Sequence, residues 1–258
     1  HPKDKRPVFA FPWEGVTVVG TTDVDATSPV EIDPAISPGE YEYLLEFVQF
    51  AFPGRGLDEN DVQSTFSGFR SVVDTGKTDP SKESREHILN YDNGLLTVSG
   101  GKLTTFNLMA QQALNMLEKL DASFIPNGYK KTDKEPPNIK MFARSQIETR
   151  EGIRLIGRYG DDIHRMIAEI GMQEFQAIEG SQNFWAELRW AARNEGVVHL
   201  DDLLLRRLRL GILLPGGGVS LIQRIKHIIH EELSWSDQQW EHELKRYFII
   251  LKQSYSVG

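Results

Sequence analysis

The sequence predicts an α+β protein in which a β-rich part is followed by an all-helical C-terminal domain. Three observations predict it. Short β-branched and aromatic runs separated by turn residues occupy much of residues 1–100. A proline-bearing, charged stretch interrupts the chain at 121–143. Beyond it, apolar residues recur at the helical period almost to the end.

Residues 7–13 are apolar and aromatic, Gly15 offers a turn, and Val16, Thr17, Val18 and Val19 are β-branched, so a hairpin is predicted. Ser37-Pro38-Gly39-Glu40 then sets a capping residue, a proline at the first helical position and an acid at the third. Tyr43, Leu44, Phe47, Val48 and Phe52 follow at helical spacing, and Pro53-Gly54 ends the helix. Residues 62–73, 87–91 and 95–98 read as strands, the last two joined by Asp92-Asn93-Gly94, a strong hairpin signal. After Gly100-Gly101 a helix carrying Leu108, Met109, Gln112, Leu114 and Leu117 runs to about residue 120.

Pro126-Asn127-Gly128, the charges of 130–135 and Pro136-Pro137 mark a linker. The expected domains are therefore 1–120 and 144–258, joined by 121–143. In the second, stripes such as Ile163/Ile167/Ile170, Leu188/Ala191/Ala192, Ile225/Ile228/Ile229 and Trp240/Leu244/Tyr247/Leu251 predict a helical core.

A net charge of −8 and a pI near 5.4 argue against a nucleic-acid partner, whose binding needs a basic surface. An anionic small molecule remains compatible if a few arginines make its site locally positive. With no cysteine, disulfides, thiolate nucleophiles and thiolate metal sites are excluded. No apolar run has bilayer-spanning length, and no signal-type stretch follows His1-Pro2-Lys3-Asp4-Lys5-Arg6, so a cytoplasmic location is expected.

Gly100-Gly101-Lys102-Leu103-Thr104-Thr105 lies between a predicted strand and a long helix, where backbone donors and the positive helix end suit an anion or a polar ring. It lacks the spacing of a phosphate-binding P-loop, and from the residues alone a tight turn with Thr104 or Thr105 as helix cap is the favoured reading. Arg70 and Arg85 have apolar or aromatic neighbours. A guanidinium there either pairs with a carboxylate or faces an anionic ligand. No metal site is expected. Asp23-Val24-Asp25 lacks the glycine and closing acid of a calcium loop, and His227, His230 and Glu231 do not have zinc-protease spacing. Gly216-Gly217-Gly218 reads as a flexible connection between helices.

Taken in order, Phe11-Pro12-Trp13-Glu14-Gly15, Gly20-Thr21-Thr22-Asp23, Ser67-Gly68-Phe69-Arg70, Ser84-Arg85-Glu86-His87 and Gly100-Gly101-Lys102-Leu103-Thr104-Thr105 resemble the flavin-dependent glycerol-3-phosphate dehydrogenases. Asp201-Asp202-Leu203-Leu204-Leu205-Arg206-Arg207 is similar to a further signature of that family. The resemblance implies that 1–120 binds substrate and caps the flavin, and that the whole enzyme oxidises sn-glycerol 3-phosphate to dihydroxyacetone phosphate by hydride transfer to FAD. Quinone or oxygen would then reoxidise the flavin, with the enzyme peripheral on the inner face of the cytoplasmic membrane. It implies substrate roles for Arg70 and Arg85 and flavin contacts for Gly101, Lys102, Leu103 and Thr104. His87 has a supporting place beside Arg85.

Ser71 stands where the family usually has proline, and Phe106-Asn107 where a tyrosine and an arginine are common. No Gly-x-Gly-x-x-Gly follows an N-terminal strand, so the FAD-binding half of such an enzyme is expected to be missing. The chain alone is then expected to be inactive, to retain no flavin and to self-associate through its uncovered face. A binding or regulatory remnant, or a related flavin amine or amino-acid oxidoreductase, are the rival readings.

Overall fold

The computed structural model describes residues 1–25, 32–70, 86–121, 123, 138–142 and 147–256. The architecture is α+β, with two two-stranded antiparallel sheets and eight α-helices among the described residues. Two compact units are formed: His1–Thr22, Glu31–Gly68 and Glu135–Gly258 make the first, and Asp23–Val30 with Phe69–Lys134 the second.

In the first unit, β1 (Phe9–Trp13) and β2 (Val16–Gly20) form the expected hairpin, Phe9 opposite Gly20 and Trp13 opposite Val16. Glu14 and Gly15 turn the chain with φ of 47° and 97°, the positive pair that matches strand twist in a two-residue turn. Helix α1 (Pro38–Ala51) opens with the capping box read from the sequence. Ser37 Oγ accepts the Glu40 N–H at 3.3 Å, and Glu40 Oε2 accepts the Ser37 N–H at 3.2 Å. Thr22 Oγ1 also donates to Glu40, at 2.6 Å, and fastens the chain after β2 to the start of α1. Burial raises the Glu40 pKa, but the bonds from Thr22 and Ser37 outweigh it and hold the carboxyl below its ordinary range.

The helical core is built by α3 (Thr149–Tyr159), α4 (Asp162–Ile170), α5 (Trp185–Asn194), α6 (Leu210–Leu213), α7 (Ile222–Leu233) and α8 (Asp237–Ile250). Helix α5 is buried on two faces. Trp185, Leu188, Ala191 and Ala192 join α7 and α8 in the larger apolar cluster, while Ala186 and Trp190 join α3 and α4 in the smaller. Ile153 is 60% exposed, because α3 turns Gly152 and Leu155 inward instead. Between α5 and α6, Asp202–Arg207 winds as a π-helical turn, the Leu208 N–H reaching the Leu203 carbonyl at 3.0 Å.

Arg189 and Arg193 on α5 clamp Glu232 on α7, with N···O distances from 2.6 to 3.0 Å. Burial raises the Glu232 pKa, and the two guanidinium groups overcome it and leave it lowered. A depressed folded-state pKa stabilises the fold above the ordinary glutamate pKa near 4.5 and ceases to do so as pH falls through the lower value. Glu232→Gln is therefore expected to cost about 1 kcal/mol at neutral pH. Melting curves should show the gap from wild type closing below the ordinary glutamate range. A gap that widens on acidification would contradict the clamp.

One strand expectation changes. Residues 62–70 form no strand: the Ser64 hydroxyl donates to the Ile212 carbonyl at 2.7 Å and the Thr65 N–H to the Tyr255 carbonyl at 2.9 Å, so this segment is bonded to the helical core rather than to a ladder. Residues 71–73 lie outside the described residues. The β1–β2 hairpin and α1 belong to the same compact unit as α3 to α8. Trp13 and Val16 pack on the larger cluster, since two strands alone cannot bury such side chains. Phe142, 4% exposed, belongs to the smaller cluster.

Gly216-Gly217-Gly218 is packed rather than flexible. All three have positive φ, of 58°, 68° and 76°, and the Tyr247 hydroxyl donates to the Gly217 carbonyl at 2.6 Å. A Cβ on Gly217 would overlap Leu251 and crowd that hydroxyl. Gly217→Ala is expected to cost about 2 kcal/mol through left-handed strain and overpacking. Gly39→Ala, in open space on α1, should be neutral or stabilising. Urea titration of both variants checks the contrast, which fails if Gly217→Ala is as stable as wild type.

In the second unit, β3 (His87–Asp92) and β4 (Leu95–Gly100) pair from His87↔Gly100 to Asp92↔Leu95 around Asn93-Gly94, both with positive φ. A 3-10 turn (Leu103–Thr105) leads into α2 (Phe106–Leu120).

Candidate functional site

The turn from β4 into α2 is set by Gly101. Its φ of 93° suits glycine, and a Cβ there would run into the Met109 side chain and approach His87 Cβ at 3.3 Å. Glycine thus lets the strand end lie directly on the first turns of α2. Lys102 is extended, its N–H donating to Thr105 Oγ1 at 3.3 Å, and that hydroxyl donates back to the Lys102 carbonyl at 3.0 Å. The N–H groups of Leu103 and Thr104 open the helical turn and have no partner within it. Lys102, Leu103 and Thr104 are exposed, Leu103 at 89%. The chain therefore presents one cation, two backbone donors and the positive end of α2 on an outward turn. This arrangement can receive negative charge developing on a bound ring or anion.

His87 lies beneath this turn. A ring nitrogen shares a hydrogen bond with Gln112 Oε1 on α2, which ties β3 to the helix and supports Gly101. Along α2 and the segment before it, Leu103, Phe106, Leu108, Leu114 and Leu120 are exposed, and no residue of the helix is buried. A helix with so much uncovered apolar surface is built to be covered.

Arg70 also lies in the second unit, as does Asp23. Arg70 Nη1 contacts Asp23 Oδ2 at 2.9 Å, and the two side chains are 46% and 30% exposed. The carboxylate partner that residue types left open is thus present, at one edge of the guanidinium. Among the described residues no hydrogen bond or ion pair joins Arg70 to the turn of Gly101, Lys102, Leu103 and Thr104. Arg85 lies outside the described residues. In the sequence Asp23 reads as a failed calcium ligand or as part of Gly20-Thr21-Thr22-Asp23; its link to Arg70, 47 positions away, has no local signal.

The first unit holds charge of another kind. The Glu187 carboxylate, fully buried, accepts from Arg154 at 2.8 and 2.6 Å, from the Tyr159 hydroxyl at 3.0 Å and from the Phe184 N–H at 2.8 Å. Arg158 approaches at 3.5 Å and also bonds Asn183 and the Arg207 carbonyl. Burial, then the charge of Glu187, pushes the Tyr159 hydroxyl well above its ordinary pKa. Glu195 is raised too, burial outweighing Arg158 and Arg207. Asp201, 1% exposed, binds both Arg206 and Arg246. The segment 201–207 is therefore an internal clamp, each carboxylate being satisfied from within the fold. Among the described residues no cluster of His, Asp and Glu could hold a metal ion, and no helix is long and apolar enough to cross a membrane.

A family model described as the C-terminal domain of alpha-glycerophosphate oxidase matches residues 104–240, just over half of the chain. The chain belongs to that family. In this member of the alpha-glycerophosphate oxidase C-terminal domain family, the matched span takes in α2, the apolar core around α5 and the Asp201 clamp. Glycerol-3-phosphate dehydrogenase 2 of Mycobacterium tuberculosis is 27% identical over 95% of this chain and 44% of its own length. Aerobic glycerol-3-phosphate dehydrogenase of Staphylococcus aureus is 27% identical over 80% of the chain and 40% of its own length. The crystal structure of the glycerol-3-phosphate dehydrogenase from Bacillus halodurans, complexed with FAD, superposes with a TM-score of 0.61 at 18% identity, over 98% of this chain and 52% of that one. The fold is thus shared, and the chain spans less than half the length of these two curated relatives.

Proposed function

We propose that this chain is the C-terminal part of a flavoenzyme that oxidises sn-glycerol 3-phosphate at its C2 hydroxyl to dihydroxyacetone phosphate. The family match over 104–240 carries this reading, since the relatives named glycerol-3-phosphate dehydrogenases align along 40–44% of their length. FAD, held mainly by a nucleotide-binding half outside the described residues, would supply the acceptor for the C2 hydride.

The residues present fit such a group. Gly101 brings the chain close over α2, leaving Lys102, Leu103 and Thr104 exposed, with the Lys102 ammonium and the N–H groups of Leu103 and Thr104 at a positive helix end. Lys102 and the N–H groups of Leu103 and Thr104 would stabilise negative charge on the reduced ring. Arg70 and Arg85 would neutralise the substrate phosphate and stabilise the C2 oxygen as its proton leaves. The apolar row on α2 would be covered by the nucleotide-binding half and, in its absence, by a second copy. Quinone or oxygen would reoxidise the flavin, in a cytoplasmic enzyme peripheral on the inner face of the membrane.

The test joins this chain to the preceding, FAD-binding half of the S. aureus relative. The fusion should be yellow and reduce a dye with sn-glycerol 3-phosphate, while the chain alone should be colourless and inactive. A folded, flavin-loaded fusion that ignores glycerol 3-phosphate, or stoichiometric flavin on the chain alone, would overturn the reading.

A further inference from the structure

Two of the short sequence words singled out above meet in space. Asp23 closes Gly20-Thr21-Thr22-Asp23 and Arg70 closes Ser67-Gly68-Phe69-Arg70, and their side chains form an ion pair at 2.9 Å. The pair engages only one edge of the guanidinium. Arg154, by comparison, spends both terminal nitrogens on the buried Glu187. Arg70 instead gives Asp23 a single nitrogen, Nη1, and among the described residues its Nε and Nη2 have no partner. The contact is nearly half exposed on the arginine side, where an ion pair contributes little to folding. What it does do is fix one end of a long, rotamer-rich side chain while leaving the remaining N–H donors available.

We propose that Asp23 is the counter-ion and positioning residue of Arg70, holding one edge of its guanidinium so that the other is presented to the substrate phosphate. The substrate part rests on the function proposed above; the counter-ion part does not. A carboxylate in this place has two opposed effects. Its negative charge weakens the attraction of Arg70 for any free anion, and its hydrogen bond orients the guanidinium for the one anion that is also held elsewhere by its glycerol portion. Removing the charge while keeping the shape should therefore tighten simple phosphate binding and slow turnover together. A purely structural pair would do neither.

The first measurement uses this chain alone. Inorganic phosphate is titrated against the Arg70 guanidinium NMR signal, assigned through Arg70→Lys, in wild type, Asp23→Asn and Asp23→Glu at low ionic strength. Asp23→Asn should lower the half-saturating phosphate concentration roughly threefold to tenfold, the range that one screened unit charge at this separation supports. Asp23→Glu should stay near wild type. Equal phosphate affinity in all three, or no response of Arg70 to phosphate in any, overturns the proposal.

The second measurement uses the flavin-loaded fusion. Asp23→Asn should lower kcat roughly tenfold with unchanged flavin content, while inhibition by inorganic phosphate strengthens. Asp23→Glu should recover part of kcat, and in an Arg70→Ala background Asp23→Asn should have no further effect. A full Asp23→Asn effect in that background would show that Asp23 does not act through Arg70. If the wild-type fusion fails to turn over glycerol 3-phosphate while the chain passes the phosphate test, the substrate assignment falls and the counter-ion role stands.

Discussion

Glu187→Ala is expected to destabilise the helical unit by about 3–5 kcal/mol, the cost of stranding buried charge rather than of losing one contact. The carboxylate is fully buried and uses both oxygens. Without it, Arg154 and Arg158, only 20% and 21% exposed, lose their counter-charge, and the Phe184 N–H at the start of α5 loses its acceptor. Helices α3 and α5 are thereby uncoupled at the point where the two apolar clusters meet. Glu187→Gln keeps the shape and one acceptor oxygen but turns an NH2 group toward a guanidinium, so it should lie between the two. Glu231→Ala, whose carboxylate is 45% exposed beside Arg189, should cost under about 1 kcal/mol. Urea denaturation of the three variants decides the matter, and Glu187→Ala within 1 kcal/mol of wild type would show that the network is not what holds α3 on α5.

Glu187 also illustrates what a sequence conceals. On the helical wheel it is one more acid among arginines, and nothing local distinguishes it from Glu231, yet one is in the core and the other in solvent. Signals confined to a few neighbouring residues were legible. Examples are the Ser37/Glu40 capping box, the turns at Gly15 and Asn93-Gly94, and the Ile163/Ile170 part of the α4 stripe, because each needs only its own segment to form. Features that depend on a distant partner were not. Residues 62–70 have strand-like composition, but where a polar group bonds is decided by what lies opposite, here Ile212 and Tyr255. Three glycines read as slack, yet their missing side chains are what admit Tyr247 and Leu251. The same holds at the candidate site. The Gly101-to-Thr105 turn was readable as a turn, whereas the partner of Arg70 was a choice between carboxylate and ligand that only the fold could address.

The largest effects on activity are expected from the two arginines of the proposed substrate site. In the flavin-loaded fusion, Arg70→Ala or Arg85→Ala should each lower kcat/KM by about 2–4 kcal/mol of transition-state stabilisation, roughly 30-fold to 1000-fold. Flavin content should hardly change, since neither residue belongs to the turn proposed to face the ring. Lysine at either position should restore only part of the rate, because it returns the charge without the planar fork. For Arg70 the competing account is definite: a surface ion pair with Asp23 and nothing more. That account predicts a loss of at most about 1 kcal/mol in stability and unchanged kinetics. The two accounts therefore separate on the same preparations, by melting temperature, flavin absorbance and kcat/KM measured together. Normal turnover in a slightly destabilised Arg70→Ala protein would assign the arginine to the fold and remove it from the chemistry. A hundredfold slower enzyme of unchanged stability would place its exposed guanidinium edge on the substrate.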